Sequence, residues 1–220
     1  MGFLTIYPDK PHERDDSNLA KWDKSGKYIC QQKVDGWRMI LLIGEDEVDF
    51  VSRHDKLFSN DIQPELYAQA RQLCGIFPAG TQLDSEWLSR RSCSVSNKVK
   101  GKIPAKLIIF DILRLGKKWQ KSTTYEARWD ILLERLGDIP DSMPDVSLSV
   151  VAEPGTFETF YEEQRKIAVS EGVVIKHKKS KMTGARNGCI KNMQHYKVKY
   201  RGGSDGEQSM DHLKKRPAKV

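Results

Sequence analysis

No stretch of this chain approaches the roughly 20 consecutive apolar residues that cross a bilayer as a helix. The N-terminus, MGFLTIYPDKPHERDD, also lacks the apolar core and cleavage site of a secretory signal. Neither a membrane partner nor export is indicated. Cysteine is scarce: Cys30, Cys74, Cys93 and Cys189 stand far apart with no C-x-x-C pair. That excludes structural zinc spacing and favours a reduced, cytoplasmic compartment. The five histidines form no ligand cluster, and no internal repeat is visible. Acidic residues are nearly missing from residues 87–125, where ten Lys/Arg face only Asp111.

The charge that is present is unevenly placed. Of the net +7, residues 176–220 hold 13 Lys/Arg against 3 Asp/Glu, whereas residues 1–175 hold 24 against 27. Two basic concentrations of this kind suit a polyanion. The 38% hydrophobic content of the 220 residues is enough for a sizeable core.

The patterning predicts strands at 27–33, 37–43 and 47–53, with a hairpin turn at Gly44-Glu45-Asp46. A helix is expected over 62–73, with Asn60 or Asp61 as its cap and Pro64 in its first turn. Strand-like runs return at 81–88 and 106–115. Thr123-Thr124-Tyr125-Glu126 offers a capping box before RWDILLERL, whose helix should stop at Gly137. A strand at 146–152, a helix at about 156–169 and strands at 172–178 and 194–200 complete the series. Without regular βαβ alternation, this predicts an α+β fold of largely antiparallel sheets.

Polar residues recur inside these strands in a set order: Lys33-Val34-Asp35-Gly36-Trp37-Arg38, Ser52-Arg53, Leu83-Asp84-Ser85-Glu86-Trp87, Phe110-Asp111, Glu171-Gly172-Val173-Val174-Ile175-Lys176 and Lys197-Val198-Lys199. Charges in strands are costly unless they are exposed, paired or bound to a ligand. Alternation puts Asp84 with Glu86, and Lys197 with Lys199, on shared faces. Like charges on one face call for a counter-charge, and a nucleotide triphosphate with a divalent metal would supply it.

The six segments, in order from about residue 28 to 200, resemble motifs I, Ia, III, IIIa, IV and V of the covalent nucleotidyltransferases. The wider sequence is similar to the adenylation domain of ATP-dependent polynucleotide ligases. The resemblance implies an ATP-grasp-like nucleotidyltransferase fold, antiparallel sheets flanked by helices, over residues 1–201. It implies Lys33 as the nucleophile that takes AMP. Gln31 would read adenine, although a one-residue slip would exchange it with Gln32. Phe110 would stack on the base, and Arg53 and Glu86 would hold the ribose. Asp35 and Glu171 would face the metal and the reacting phosphate, with Glu86 and Glu171 as metal ligands. Arg38, Lys176, Lys197 and Lys199 would contact phosphates. ATP and Mg²⁺ (or Mn²⁺) are the implied cofactors. The implied partner of a monomeric enzyme is nicked duplex nucleic acid, DNA in preference to RNA.

The chemistry suits the residues, since a lysine amine with a pKa of roughly 10.4 needs its environment to release a proton before it attacks. Two departures from the family pattern stand out. Asp55 lies where the family places glycine, two residues after Ser52-Arg53. Only 21 residues follow Lys199, so no OB-fold domain is expected, and residues 202–220 read as a flexible basic tail. The basic stretches at 87–125 and 176–220 are expected to take over part of the missing clamp. An RNA ligase, or a nucleic-acid or nucleotide-binding module without strand joining, are the rival readings.

Overall fold

The computed structural model describes residues 3–88, 105–167 and 169–200. Expectations for residues 89–104, and for the tail from 201 onward, lie outside the described residues.

Two sheets carry the fold. The first has the order β1-β10-β9-β2, built from β1 (Lys10–Arg14), β2 (Tyr28–Val34), β9 (Ser170–His177) and β10 (Lys191–Lys199). The second has the order β4-β3-β5-β6-β7, from β3 (Trp37–Ile43), β4 (Val48–Ser52), β5 (Gln82–Leu88), β6 (Lys106–Leu115) and β7 (Lys118–Trp119). A short β8 (Val146–Leu148) joins β6 in parallel, β1 joins β10 in parallel, and every other pairing is antiparallel. The mixed α+β architecture expected from the patterning is therefore present.

Strand alternation gives each sheet one face packed under helices. The other face carries the polar residues and, in the second sheet, an apolar patch of Ile40, Val51 and Leu113. In the second sheet Met39, Leu41, Ile43, Phe50, Leu83 and Trp87 pack under α2 (Pro64–Arg71) and α3 (Tyr125–Leu136), against Leu66, Leu132 and Leu136. In the first, Cys30, Val173, Ile175 and Val198 pack under α1 (Leu19–Lys24) and α4 (Phe157–Arg165), against Leu19, Phe157, Phe160 and Tyr161. Each helix layer covers the outer face of its sheet, so the polar faces turn toward a shared cleft. No helix among the described residues is long and apolar enough to cross a membrane.

Two strands and one α-helix escaped the sequence reading. β1 (KPHER) carries no β-branched or aromatic residue, and α1 is a six-residue helix too short for a periodic signal. β7 has two residues. The cap of α2 is Gln63, because Ser59–Asp61 forms its own 3-10 turn, and Pro64 takes the first helical position. The α3 cap is Thr124, whose hydroxyl accepts from the Ala127 N–H at 3.4 Å, so the Thr123–Glu126 box does not form. The helix ends at Gly137 in a right-handed conformation. The expected strand at 146–152 shrinks to three residues plus a single bridge from Val151 to Gln31, and α4 stops at Arg165.

Asp55 takes a backbone conformation that usually favours glycine. It is the one non-glycine with positive φ (63°) among the described residues, a conformation aspartate tolerates. Its carboxylate accepts from the Leu4 N–H at 2.8 Å, which anchors the N-terminal segment.

The least expected core feature is ionic. Arg128 of α3 is fully buried and holds Asp111 of β6 through Nε–Oδ1 at 2.8 Å and Nη2–Oδ2 at 3.0 Å, while Nη1 donates to the Thr123 carbonyl at 2.8 Å. Burial would raise the Asp111 carboxyl, but Arg128 outweighs it and holds it below the ordinary value. Breaking a buried pair strands a charge, so Arg128→Ala should cost about 3–5 kcal/mol of stability. A urea midpoint within error of the wild type would contradict that.

Candidate active site

The cleft between the two sheets encloses about 1010 Å³ and is lined from both. Its floor is laid by alternation on β2: Cys30 points into the core, and Gln31 and Lys33, two residues apart, face the cleft. Gln31 is buried, and its amide Nε2 meets no acceptor in full hydrogen-bond geometry, although the Tyr125 hydroxyl is close enough to feel it. A buried donor short of a full hydrogen bond is costly, and a ligand acceptor such as a base nitrogen would satisfy it.

Glu171 reaches the cleft by breaking alternation. The β2–β9 register runs Lys33↔Gly172 and then Val34↔Ser170, which leaves Glu171 as the extra residue of a bulge. Gly172 makes that bulge possible. Its φ is +139°, and a Cβ there would lie 2.0 Å from the Val198 carbonyl oxygen. Lys199 pairs with the same glycine from the other side. Glu171 consequently sits between two ammonium groups, with Oε1 on Lys33 Nζ and Oε2 on Lys199 Nζ at 2.6 Å. Burial alone would raise its carboxyl, but Lys33 and Lys199 pull it down to about 2.

A second bulge places Phe110. The β5–β6 register jumps from Asp84↔Asp111 to Ser85↔Ile109, so Phe110 is the extra residue and both Phe110 and Asp111 line the cleft. Lys176 Nζ lies 5.0 Å from the Phe110 ring centroid and donates to its carbonyl at 3.3 Å. The Arg38 guanidinium lies 5.5 Å from the same ring. Lys176 is buried, and desolvation brings its amine down to about 8 despite Asp111 and Asp84 nearby.

The remaining expected residues come to the same cleft with different partners. Arg38 is bound by Asp84 through Nε–Oδ1 at 2.8 Å and Nη2–Oδ2, and its Nη1 donates to the Asp9 carbonyl at 2.7 Å. Its charge is therefore already countered. Glu86 accepts from the Gly36 N–H at 3.2 Å. Burial raises its carboxyl to about 7, with Lys33 and Arg38 only partly opposing. Asp35 lines the wall, its N–H donating to the Val169 carbonyl at 2.9 Å. Arg53 is exposed at the mouth, where Nε donates to His54 Nε2 at 3.2 Å. Lys197 pairs with Glu13 at 2.8 Å.

Sequence reasoning left several lining residues without a role. Asp84 and Asp111 hold arginines, and His195 bonds Ser180 Oγ at 2.7 Å with its ring held neutral, its pKa lowered by burial to about 3. Asp9 accepts from the Thr183 N–H at 3.1 Å and from Asn192 Nδ2 at 2.7 Å. Only the charged residues inside strands carried any sequence signal.

The donor set bears on a metal. Among the described residues no three acidic, histidine or cysteine side chains converge as a cage. One or two carboxylates beside a phosphate site are what Mg²⁺ takes when nucleotide oxygens complete its shell. Of the two expected ligands, Glu171 is already neutralised by two lysines, whereas Glu86 has a carboxyl that a nearby cation would ionise. Glu86 fits such an ion, and Glu171 would join it on releasing a lysine.

The family model for the ATP-dependent DNA ligase domain matches residues 16–199. The chain belongs to that family. Among curated protein sequences none matches this ligase domain. Among solved structures, it is similar to mycobacterial DNA ligase D complexed with ATP and MES (TM-score 0.69, 19% identity, 92% of this chain and 62% of that one). It is also similar to the ligase domain of M. tuberculosis LigD (TM-score 0.66, 19% identity, 90% and 61%). A third similar structure is the bacteriophage T7 ATP-dependent DNA ligase in complex with ATP (TM-score 0.57, 14% identity, 87% and 68%). At these identities the likeness shows the nucleotidyltransferase fold. The chain spans about three fifths of the length of the first two.

Two outcomes follow for this ligase domain. Gly172→Ala should lose about 1–3 kcal/mol to backbone strain alone and pull Glu171 away from both lysines. An unchanged urea midpoint would refute the assignment. Glu86 binds its proton more tightly folded than unfolded, so stability should fall as pH rises from about 4.5 to about 7, by no more than about 3 kcal/mol. Glu86→Gln should flatten that segment of the stability–pH curve, and an unaltered slope would count against the buried carboxyl.

Proposed function

We propose that this domain uses ATP to join strands: Lys33 is adenylated, AMP passes to a 5′-phosphate, and a 3′-hydroxyl displaces it to seal a nick in duplex DNA. The observation that carries the reading is the placement of Lys33 on the cleft floor, held by a carboxylate shared with Lys199. The buried Gln31 amide and the half-buried Phe110 ring line the same cleft.

In this reading Phe110 and Gln31 bind the base, and Arg53 and Glu86 the ribose. Lys199, Lys197 and Lys176 line the phosphate path. Lys33 gives up a proton to solvent, and its nitrogen lone pair forms a P–N bond to the α-phosphorus. The α–β anhydride bond breaks and pyrophosphate leaves. An oxygen of the 5′-phosphate then attacks the same phosphorus, and the lysine departs with a regained proton. The 3′-hydroxyl next loses its proton to solvent and attacks the 5′-phosphorus, releasing AMP. Glu171, held near 2, is too weak a base to keep the Lys33 proton, so its part is to orient the amine. A divalent cation, which Glu86 and Glu171 would hold, supplies neutralisation of the phosphate oxygens when bound.

Incubation with α-labelled ATP and magnesium should give an acid-stable label on the wild type and none on Lys33→Ala. No label, or equal labelling of the variant, would leave a binding module without ligase chemistry. Sealing of nicked duplexes that differ only in sugar should favour DNA, and faster sealing of RNA nicks would replace this reading with an RNA ligase.

A further inference from the structure

Residues 4–14 precede the family-matched region yet form part of the cleft. Leu4 and Ile6 are buried with Ile40, Val51, Leu113 and Met182. The segment is tied down by Leu4 N–H to Asp55 (2.8 Å), Tyr7 N–H to the Ala185 carbonyl (2.8 Å) and Lys10 N–H to the Ile190 carbonyl (2.8 Å). It then becomes β1, parallel to β10 with Glu13 in register with Lys197. Asp9, Lys10 and Glu13 line the cleft wall.

This strap brings a carboxylate to the phosphate path. Lys33 and Lys199 share Glu171, Arg38 is held by Asp84, and Lys197 is held by Glu13 at 2.8 Å. The first two pairings are enclosed by the cleft walls. The Glu13 side chain is 59% exposed, against 11% for Glu171 and 2% for Asp84. An exposed pair is weak and yields readily to a stronger anion, because solvent screens it and its side chains keep alternative rotamers. A buried pair does not yield, since separating it strands a charge.

We infer that Glu13 is an exchangeable counter-ion of the phosphate path. It keeps Lys197 extended along β10 while the cleft is empty, and a polyphosphate displaces it from Lys197. Glu13 is thus a positioning residue that sets how tightly the cleft holds the charged end of the nucleotide. This rests on the reading that the cleft takes ATP. The carboxylate must leave Lys197 before a phosphate oxygen can take its place, so removing it should tighten the complex with a polyphosphate and leave a ligand without phosphate unaffected.

The test is equilibrium binding of α,β-methylene-ATP and of adenosine to the full chain, wild type and Glu13→Gln. The variant should bind the methylene analogue about two- to five-fold more tightly, the range set by an exposed ion pair, and adenosine equally well. Glu13→Lys should tighten the analogue further. The gain should vanish when Lys197→Met is combined with Glu13→Gln. Unchanged or weaker analogue binding in Glu13→Gln would overturn the inference. So would the same gain for adenosine, or a gain that persists without Lys197. The analogue does not transfer AMP, so the absence of lysyl-AMP with ATP would defeat the ligase reading and leave this measurement valid.

Discussion

The carboxylate of Glu171, held between the ammonium groups of Lys33 and Lys199, couples the three strands that carry the proposed chemistry. Lys33 belongs to β2, Glu171 to β9 and Lys199 to β10. All three meet because Gly172 lies opposite both lysines in the strand register. Its φ of +139° turns the preceding residue onto the cleft face, and the Val198 carbonyl leaves no room for a Cβ. The electrostatic centre therefore depends on a steric condition at one glycine.

Around that centre, charge is balanced pair by pair. Asp84 with Arg38 and Asp111 with Arg128 hold guanidinium groups in place, and Lys176 lines the same cleft with its amine near 8. Burial of this much charge costs desolvation, and the bidentate geometry of both arginines offsets it. What faces solvent is different. Lys197, Arg53 and Glu13 lie at the mouth with looser partners, where an incoming phosphate can exchange for a carboxylate. A rigid interior and an exchangeable rim would let the cleft bind a polyanion without refolding its walls.

The two β-bulges do similar work on opposite walls. At Glu171 the extra residue brings a carboxylate to Lys33, and at Phe110 it brings a ring beside Lys176 and Arg38. Bulges re-aim one side chain at the cost of a local bend in the strand, so a sheet can present irregularly spaced polar groups. The N-terminal strap closes the flank of the same cleft. Asp55 serves it in two ways, through a left-handed backbone and an acceptor for Leu4.

Much of this was written in the residues themselves. Period-two alternation suffices to put Gln31 with Lys33, Asp84 with Glu86, and Lys197 with Lys199 on common faces, because side-chain direction in a regular strand is a local property. The order of the motifs and the α+β pattern are local in the same sense. The tertiary structure alone decided the rest. Neighbouring strands, not composition, set the register that makes Glu171 and Phe110 the extra residues of bulges. Pairing across long separations chose which acid neutralises which base, giving Arg38 to Asp84 and Lys197 to Glu13. β1, with no β-rich composition, is a strand because β10 offers it an open edge. Alternation is fixed residue by residue, whereas register and ion pairing depend on what lies on the next strand. For that reason the sequence could place Lys33 on the cleft face but could not choose its counter-charges.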